Sequence, residues 1–156
     1  GLGCLANNSF GIRKIIELKK RDISKGFILL ASDIGYLLPY IDSQISEDLL
    51  EQLSLPTKSP TTFLVPKSEE LPPLLAGGNE LLAVRITSNP LIKFFCEETE
   101  SALISTSANL QGKKAASTQR ELKSYFGNQL DYVLPPSGYN SEPSKIINLM
   151  TGERLR

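Results

Sequence analysis

Short apolar runs that alternate with helical segments constrain the fold of this chain more than any other feature. The runs Phe27–Ala31, Thr61–Val65 and Leu81–Ile86 contain five or six residues each, and polar or proline-containing segments follow them. Runs of this length, bounded in this way, predict buried strands. A helix is predicted at 90–98, because proline favours the first helical position. The alternation, without an internal repeat, predicts an α/β or closely interleaved α+β domain.

The same patterns predict the other elements of the chain. Ser9 is expected to cap a helix that runs to about Arg21. Thr118 and Glu121 form a capping box for a helix that Gly127 ends. The remaining predictions are a helix at 46–53, a mobile connection at 72–78 and strands at 102–104, 132–134 and 145–149.

Composition limits the chemistry that the chain can perform. At 156 residues we expect one domain. The sequence has no histidine, which excludes Ser-His-Asp triads, Cys-His nucleophiles and histidine-based zinc sites. Cys4 and Cys96 are far apart and are interpreted as core residues of a protein in a reducing compartment. No apolar run is long enough to cross a membrane and no secretory leader pattern is seen, so a cytoplasmic location is expected.

Charge is balanced overall but uneven along the chain. Lys plus Arg and Asp plus Glu both number 17, which argues against long-range attraction to nucleic acid. Between Arg13 and Lys25, however, six basic residues face two acidic ones. Any RNA contact is therefore expected to be local or transient.

The segment SALISTSANLQG at 101–112 is the strongest local motif. Its apolar part, Ala102–Ile104, predicts a strand that stops where Ser105, Ser107 and Asn109 begin to supply hydroxyl and amide donors. Because ligands of open α/β sheets bind beyond the carboxyl ends of strands, these donors indicate a polar ligand site. The alternative is that they only form a turn or cap the next segment.

A basic segment lies upstream of the first predicted apolar strand. Lys19, Arg21 and Lys25 precede Phe27 at spacings that allow convergence on one anion, with arginine supplying a planar fork and lysine a point charge. The alternative is that these charges complement the negative end of a helix. That alternative accounts for the last helical turn but leaves Lys25 unexplained.

Arg85 is a charge within an otherwise apolar predicted strand. A charge at the centre of a sheet is costly unless it is paired or faces a cavity. The sequence leaves two interpretations open: a cavity-facing guanidinium, or an edge strand whose arginine is in water.

Known nucleotide-binding fingerprints are missing. There is no P-loop pattern, and Gly1-Leu2-Gly3 does not continue into a Rossmann fingerprint. A nucleotide would therefore be held by scattered donors. The polar loop from Pro135 to Pro143 would either cover a pocket or be an ordinary surface loop.

Together these segments resemble the YrdC/TsaC family of threonylcarbamoyl-AMP synthases. The resemblance rests on GLGC, LKKRDISKGFILLAS, SPTTFLVP, LLAVRI, SALISTSANLQG and PSKIINLMTGERLR, which occur in family order over nearly the whole chain. It implies a YrdC-like fold, a twisted open mixed sheet with flanking helices and a deep concave pocket.

The resemblance also implies an activity. The family's enzymes are nucleotidyltransferases that combine L-threonine, bicarbonate and ATP into threonylcarbamoyl-AMP and pyrophosphate, for threonylcarbamoyladenosine in tRNA. Mg²⁺ would arrive on the ATP, and no metal site of the protein's own is expected. Possible further partners are tRNA, double-stranded RNA and downstream tRNA-modification proteins, without a membrane.

Matching by motif assigns roles to individual residues. The catalytic K-x-R and S-x-N pairs are Lys19, Arg21, Ser107 and Asn109. The resemblance implies that the nucleotide is also bound by other residues, and that threonine is bound by Arg85 and Ser144. The nucleotide-binding residues implied in this way are Lys25, Ser105, Ser107, Asn109, Ser144 and Arg156.

Three segments depart from the family pattern. The segment P-T-[DE]-x-V-[YF], which normally precedes GLGC, is missing from the 156 residues, so we expect a YrdC-like domain without that strand. The P-G-P-x-T turn has become Ser59-Pro60-Thr61-Thr62, and the last strand motif reads Pro143-Ser144-Lys145.

Two alternatives to threonylcarbamoyl-AMP synthase activity remain. One is binding of double-stranded RNA, as a ribosome maturation factor without catalysis, which should weaken steeply with salt. The other is a catalytically silent domain, which the missing segment suggests.

Overall fold

A six-stranded mixed sheet forms the centre of the computed structural model, which describes residues 1–135 and 143–156. Five α-helices and three short 3₁₀ turns (Ile23–Lys25, Ile34–Tyr36, Leu38–Tyr40) connect the strands within those ranges. The strands are β1 Leu2–Leu5, β2 Ile28–Ala31, β3 Thr61–Pro66, β4 Leu81–Ile86, β5 Leu103–Thr106 and β6 Lys145–Asn148. The helices are α1 Ser9–Lys19, α2 Glu47–Ser54, α3 Pro73–Ala76, α4 Pro90–Thr99 and α5 Gln119–Phe126.

The strand order is β1-β5-β2-β4-β3-β6. The pairs β2/β4 and β3/β6 are parallel, and the other neighbours are antiparallel. Leu30 of β2 pairs with Leu103 on one side and Arg85 on the other, so β2 and β4 are interior strands. The predicted interleaved α/β domain with an open mixed sheet and flanking helices is confirmed.

The two faces of the sheet differ in burial. Leu29, Val84 and Ile104 belong to the main hydrophobic cluster together with Ile12 of α1 and Cys96 of α4. This face is covered by helices, and the interpretation of Cys96 as a core residue is confirmed.

The alternate residues point to the opposite face, because side chains along a strand alternate. Leu30, Ala83, Arg85, Leu103 and Ser105 are all half-buried. One face of the sheet is therefore open across its central strands, and we refer to it as the open face.

Several predicted elements agree with the structure. Helix α4 begins after Asn89, whose Oδ1 accepts from the backbone of Leu91. The capping box of Thr118 and Glu121 is present, and Gly127 follows α5. Within the described residues, no helix combines the length and apolar character that crossing a membrane requires.

Other predictions are wrong. Residues 132–134 form no strand, and Tyr132 is 76% exposed, because no neighbouring strand offers its backbone a partner. The segment 72–78, predicted as a mobile connection, contains helix α3, and its Leu75 is fully buried. Asn8, not Ser9, caps α1. Strand β1 was not predicted, because only four residues form it.

Strand β5 also continues further than predicted, through Ser105 and Thr106. Ser105 pairs with Gly3 of β1 and Ile28 of β2, and these two neighbours keep its backbone extended. Of the loop between Pro135 and Pro143, only the two end residues lie within the described parts of the chain, so its interpretation is not tested.

Candidate active site

Lys19, the last residue of α1, joins the two main sequence motifs. Its ammonium donates hydrogen bonds to the carbonyl oxygen of Ser107, to the carbonyl oxygen of Asn109 at 2.8 Å and to Oδ1 of Asn109 at 2.9 Å. The side chain is only 2% exposed. The K-x-R and S-x-N segments, predicted to act together, are therefore in direct contact.

The environment of Lys19 changes its protonation. Burial, with a smaller contribution from the nearby positive charge of Arg21, lowers the pKa of Lys19 from 10.5 to about 8. The ammonium is thus protonated at neutral pH but loses its proton at a much lower pH than an exposed lysine would.

The turn that follows β5 has its own network of hydrogen bonds. Ser107 Oγ donates to Asn109 Oδ1 at 2.6 Å, and Asn109 Nδ2 donates to the carbonyl of Lys113 at 2.6 Å. The backbone N–H of Gln111 donates to the carbonyl of Lys19 at 2.8 Å. The turn is therefore connected to the end of α1 by bonds in both directions.

Arg21 is held beside this turn in a fixed orientation. Its Nη2 donates to the carbonyl of Gly26 at 2.7 Å, and its guanidinium carbon is 5.0 Å from the centre of the Phe27 ring. Its Nε is buried and has no hydrogen-bond partner among the described residues. Burial lowers the pKa of Arg21, while Asp22 opposes that change. The guanidinium is positioned, with donors left over for an anion.

The backbone geometry behind Arg21 requires two glycines. Gly26 has a φ of 58° and Gly77 a φ of 61°. A Cβ on Gly26 would be 2.5 Å from the carbonyl oxygen of Ala76, and a Cβ on Gly77 would be 2.5 Å from the nitrogen of Gly26. This close approach fixes the carbonyl that Arg21 binds against α3.

Arg85 lies on the open face and lines a cavity of about 360 Å³. The polar residues Ser32, Ser59, Thr61, Thr87 and Ser88 also line this cavity, together with apolar residues of the main hydrophobic cluster such as Leu53 and Phe63. The guanidinium is half-buried and makes no hydrogen bond to a described residue, and burial lowers the pKa of Arg85. Because β4 is an interior strand, the edge-strand interpretation is wrong. The position of Arg85 among the residues that line the cavity agrees with the other interpretation.

Ser144 lies beside Thr62 of β3 rather than next to Lys19. Phe63 pairs with Val84, so Thr62 stands opposite Arg85 on the same face. Thr62 Oγ1 and Ser144 Oγ share a hydrogen bond of 2.8 Å, and both side chains are buried. The hydroxyl of Ser144 thus already has a protein partner, and that partner, Thr62, is the residue opposite Arg85.

Arg156, Lys25 and Ser105 have different surroundings. The guanidinium of Arg156 donates through Nε and Nη2 to the carbonyl of Ser144, at 3.2 and 3.0 Å. Lys25 is exposed in the 3₁₀ turn before β2. Ser105 lies on the open face opposite Ile28. Only Ser105 of these three lies between the Lys19 cluster and Arg85.

Strand register gives the separation of the two ends of this site. Leu103 and Arg85 are both paired with Leu30, and Ser107 is four residues beyond Leu103. Strand geometry then places Ser107 about 13 Å along the strands and about 10 Å across them from Arg85. Between the two ends, Leu30, Leu103 and Ser105 of the open face are half-buried.

The structure also changes the interpretation of the basic segment. Lys19 is buried, Arg21 is half-buried, and Lys14 binds Asp131 at 2.8 Å. Three of the six basic residues are thus turned inward or paired. RNA binding at this segment stays a prediction, with less exposed charge than the sequence suggests.

Two residues of the cavity were missed in the sequence. Ser32 directly follows β2 and Thr87 directly follows β4, and these two strands are parallel neighbours. The rule that ligands bind beyond the carboxyl ends of strands would have selected both residues. We applied that rule only to the more conspicuous cluster after β5.

The chain is similar to curated proteins over its full length. "Threonylcarbamoyl-AMP synthase" from Nitrosococcus oceani is 42% identical over 161 residues, covering 100% of this chain and 84% of the relative. A protein of the same name from Pseudoalteromonas atlantica is 38% identical over 157 residues, covering 100% and 84%.

Solved structures share the fold at lower identity. Sua5 from P. abyssi, in a crystal structure with L-threonine, has a TM-score of 0.81 and 23% identity. The match covers 99% of this chain and 45% of that protein, so the chain spans less than half the length of that relative. E. coli YciO has a TM-score of 0.70 and 22% identity, covering 94% of this chain and 71% of that one.

A family model agrees with these similarities. The Sua5_yciO_yrdC model, described as "Telomere recombination", matches residues 1–156. The chain therefore belongs to the Sua5/YciO/YrdC family.

Proposed function

We propose that this protein is a nucleotidyltransferase that makes threonylcarbamoyl-AMP and pyrophosphate from L-threonine, bicarbonate and ATP. The observation that carries the proposal is the contact between the K-x-R and S-x-N segments, with Lys19 Nζ 2.9 Å from Asn109 Oδ1. Relatives at 37–42% identity that bear the synthase name support it.

The chemistry needs charge stabilisation and positioning more than a nucleophile. The threonine amine attacks the carbon of bicarbonate, and a bicarbonate hydroxyl leaves as water with a proton taken from the nitrogen, which gives a carbamate. A carbamate oxygen then attacks the α-phosphorus, and the bond to the β-phosphate oxygen breaks as pyrophosphate leaves. Negative charge accumulates on the oxygens around phosphorus, where fixed cations and neutral donors lower the barrier.

The phosphate end of the site is proposed to be the cluster around Arg21 and the 107–109 turn. Arg21 retains unused donors, and Ser107 is exposed at the rim. Ser105 would meet the nucleotide on the open face, and Lys25 would reach it from the 3₁₀ turn. The positive charges at this end suit a triphosphate.

The threonine end is proposed to be the cavity beside Arg85. A half-buried guanidinium without a protein partner is suited to a carboxylate, and the surrounding hydroxyls suit the threonine hydroxyl and amine. Ser144, through its hydroxyl partner Thr62, would border this end. Arg156 would act on the nucleotide from beside Ser144.

Mg²⁺ enters this proposal only as the ion that ATP carries. Across the two described ranges, no group of three or more His, Cys, Asp or Glu side chains could hold a metal ion. The protein's own residues would therefore bind and orient the triphosphate, while the ion neutralises part of its charge.

The test is release of pyrophosphate from ATP with threonine and bicarbonate varied separately. We expect release that requires both. Pyrophosphate release that does not depend on threonine, in a folded sample, would contradict the proposal and favour RNA binding. The same sample should then bind RNA at low salt. Transfer to tRNA with the downstream proteins added would be measured afterwards.

A further inference from the structure

Asn79, between α3 and β4, joins two segments that are far apart in sequence. Its Nδ2 donates to the carbonyl oxygen of Ala76 at 2.7 Å and to that of Ser24 at 3.3 Å. Both partners are carbonyl oxygens, which only accept hydrogen bonds, so the nitrogen of the side-chain amide has to face them. One side chain thus bridges the end of α3 and the 3₁₀ turn that precedes β2.

The two carbonyl oxygens belong to the close contact between Gly26 and Gly77. A Cβ on Gly26 would be 2.5 Å from the carbonyl oxygen of Ala76, and a Cβ on Gly77 would be 2.5 Å from that of Ser24. The backbone N–H of Gly78 donates to the same Ser24 oxygen at 2.9 Å. The hydrogen bonds of the bridging amide therefore help to fix how closely α3 approaches the turn.

The backbone of Asn79 is itself held on two sides. Its N–H donates to the carbonyl of Ala76 at 3.2 Å, and its carbonyl accepts from Nζ of Lys67 at 2.7 Å. Lys67 directly follows β3, so this second bond connects Asn79 to the central sheet. The bridging amide is thus anchored to the sheet as well as to α3.

Gly26 is also the residue that holds Arg21 in its orientation. Nη2 of Arg21 donates to the carbonyl oxygen of Gly26 at 2.7 Å, and the guanidinium lies over the ring of Phe27. If Gly26 moved away from α3, this carbonyl would move with it and the guanidinium would lose its fixed acceptor. A displacement of about 1 Å at a catalytic site can lower a rate by about 100-fold.

We propose that Asn79 is a positioning residue for Arg21, which acts through Ser24 and Gly26 and does not touch the substrates. The inference rests on the proposed function, because it takes Arg21 to be the cation at the phosphate end of the site. A separation of 55 residues between Asn79 and Ser24 explains why no local motif indicates this role.

The first measurement needs neither a ligand nor turnover. In Asn79→Asp the two carbonyl oxygens lose their donor, and in Asn79→Ala they lose it without an added charge. By nuclear magnetic resonance, the buried Nε–H of Arg21 should exchange with water about tenfold faster in both variants, because two hydrogen bonds that hold its surroundings are lost. The upfield shift that the ring of Phe27 gives the Arg21 side chain should become smaller as well.

Three controls make this result specific to Arg21. The exposed Nε–H of Arg120, and the amide of Val84 in the centre of the sheet, should exchange as in the unmodified protein. Asn128→Asp, which changes an exposed asparagine after α5, should leave Arg21 unaffected. Unchanged exchange at Arg21 in either Asn79 variant would overturn the proposal. Faster exchange at Val84 would also overturn it, because Asn79 would then have a general structural role.

The second measurement uses threonine-dependent release of pyrophosphate. Asn79→Asp should lower kcat about tenfold, because a displaced guanidinium stabilises the transition state less well. The KM for threonine should change by less than about twofold, since Asn79 does not line the cavity of Arg85. In the Arg21→Ala background, Asn79→Asp should change kcat by less than about twofold, because the group that it positions is gone. An equal loss of kcat in both backgrounds, or a higher KM alone, would overturn the proposal.

The two measurements separate this inference from the proposed function. If threonine-dependent release is absent but the Arg21 resonances respond in both Asn79 variants, Asn79 positions Arg21 and the proposed reaction is wrong. If release is normal and the Arg21 resonances do not respond, the proposed reaction stands and the positioning role is wrong.

Discussion

The two ends of the open face hold their cations in opposite ways. At the end of α1, Lys19 is buried and bound to three protein oxygens. On β4, Arg85 is half-buried beside a cavity and has no partner among the described residues. A buried charge that is hydrogen-bonded to the protein stabilises the local structure. A buried charge without such a partner is available to bind a ligand of opposite charge.

Arg21 is intermediate between Lys19 and Arg85, because only some of its donors have a protein partner. Its removal should have the largest effect on turnover. Arg21→Ala should lower the turnover of threonine-dependent pyrophosphate release by about 100-fold or more, because loss of one fixed donor at a developing charge typically costs that much. The change in turnover is measured at saturating ATP and threonine, with Arg13→Ala as an exposed control on α1. Near-normal turnover in a folded Arg21→Ala protein would remove this residue from the site.

Arg85 should affect threonine alone. Arg85→Met should raise the KM for threonine about tenfold to 100-fold, because a charge-assisted hydrogen bond contributes roughly 1.5–3 kcal/mol. Binding of a non-hydrolysable ATP analogue without threonine should be unchanged. Steady-state kinetics give the KM values, with Arg120→Met as a control on the exposed surface of α5. A loss of nucleotide binding instead would indicate that this cavity binds the nucleotide rather than threonine.

The comparison also predicts opposite effects on stability. Lys19→Met leaves three oxygens without their donor, so the free energy of unfolding should fall by about 1–3 kcal/mol. Arg85→Met removes a charge without a partner, so the free energy of unfolding should stay the same or rise. Urea unfolding of the two variants measures both changes. A larger loss in Arg85→Met than in Lys19→Met would reverse the distinction between the two cations.

Because the pKa of Lys19 is lowered, the contribution of Lys19 to the free energy of unfolding depends on pH. Below about pH 8 both folded and unfolded chains hold the proton, and the folded state bears the full cost of a buried charge. Between about pH 8 and the ordinary value of 10.5, only the unfolded chain holds it. Since the unfolded state then binds more protons, the contribution of Lys19 to stability rises with pH in that window.

In the same pH window the neutral amine has fewer donors for its three acceptors, so binding of a non-hydrolysable ATP analogue should weaken although the contribution of Lys19 to stability rises. The measurement is the free energy of unfolding against pH, taken as the difference between the unmodified protein and Lys19→Met, together with analogue binding. Flat curves across pH 8 to 10.5 would show that this lysine is not titrating there.

The smallest effect is expected beside Arg85. Ser144→Ala leaves the buried hydroxyl of Thr62 without its partner, which should cost about 1 kcal/mol or somewhat more of unfolding free energy. The double variant Thr62→Val, Ser144→Ala should lose less than the sum of the single changes, because the two hydroxyls satisfy one another. Additive losses, measured by urea unfolding, would indicate that each hydroxyl has a separate role.

The helix signals and apolar runs predicted most elements from local physics. Asn89 with Pro90, and Thr118 with Glu121, lie where side chains cap backbone N–H groups a few residues away. The run at 27–31 contains an interior strand, β2, whose two edges pair with β4 and β5. The run at 132–134 looks similar but is exposed, because a strand needs a neighbour that local sequence does not specify.

The sequence by itself determined the fold class, the family and the two motifs whose residues meet at the end of α1. Those properties depend on side-chain periodicity, capping and residue order, which a linear sequence carries. Only the tertiary structure decided what each cation does, because its partners come from distant segments. Ser107 and Asn109 reach Lys19 across 88 and 90 residues, and Arg85 is on an interior strand because two strands from elsewhere in the chain flank β4. The cost of burying a charge depends on those neighbours.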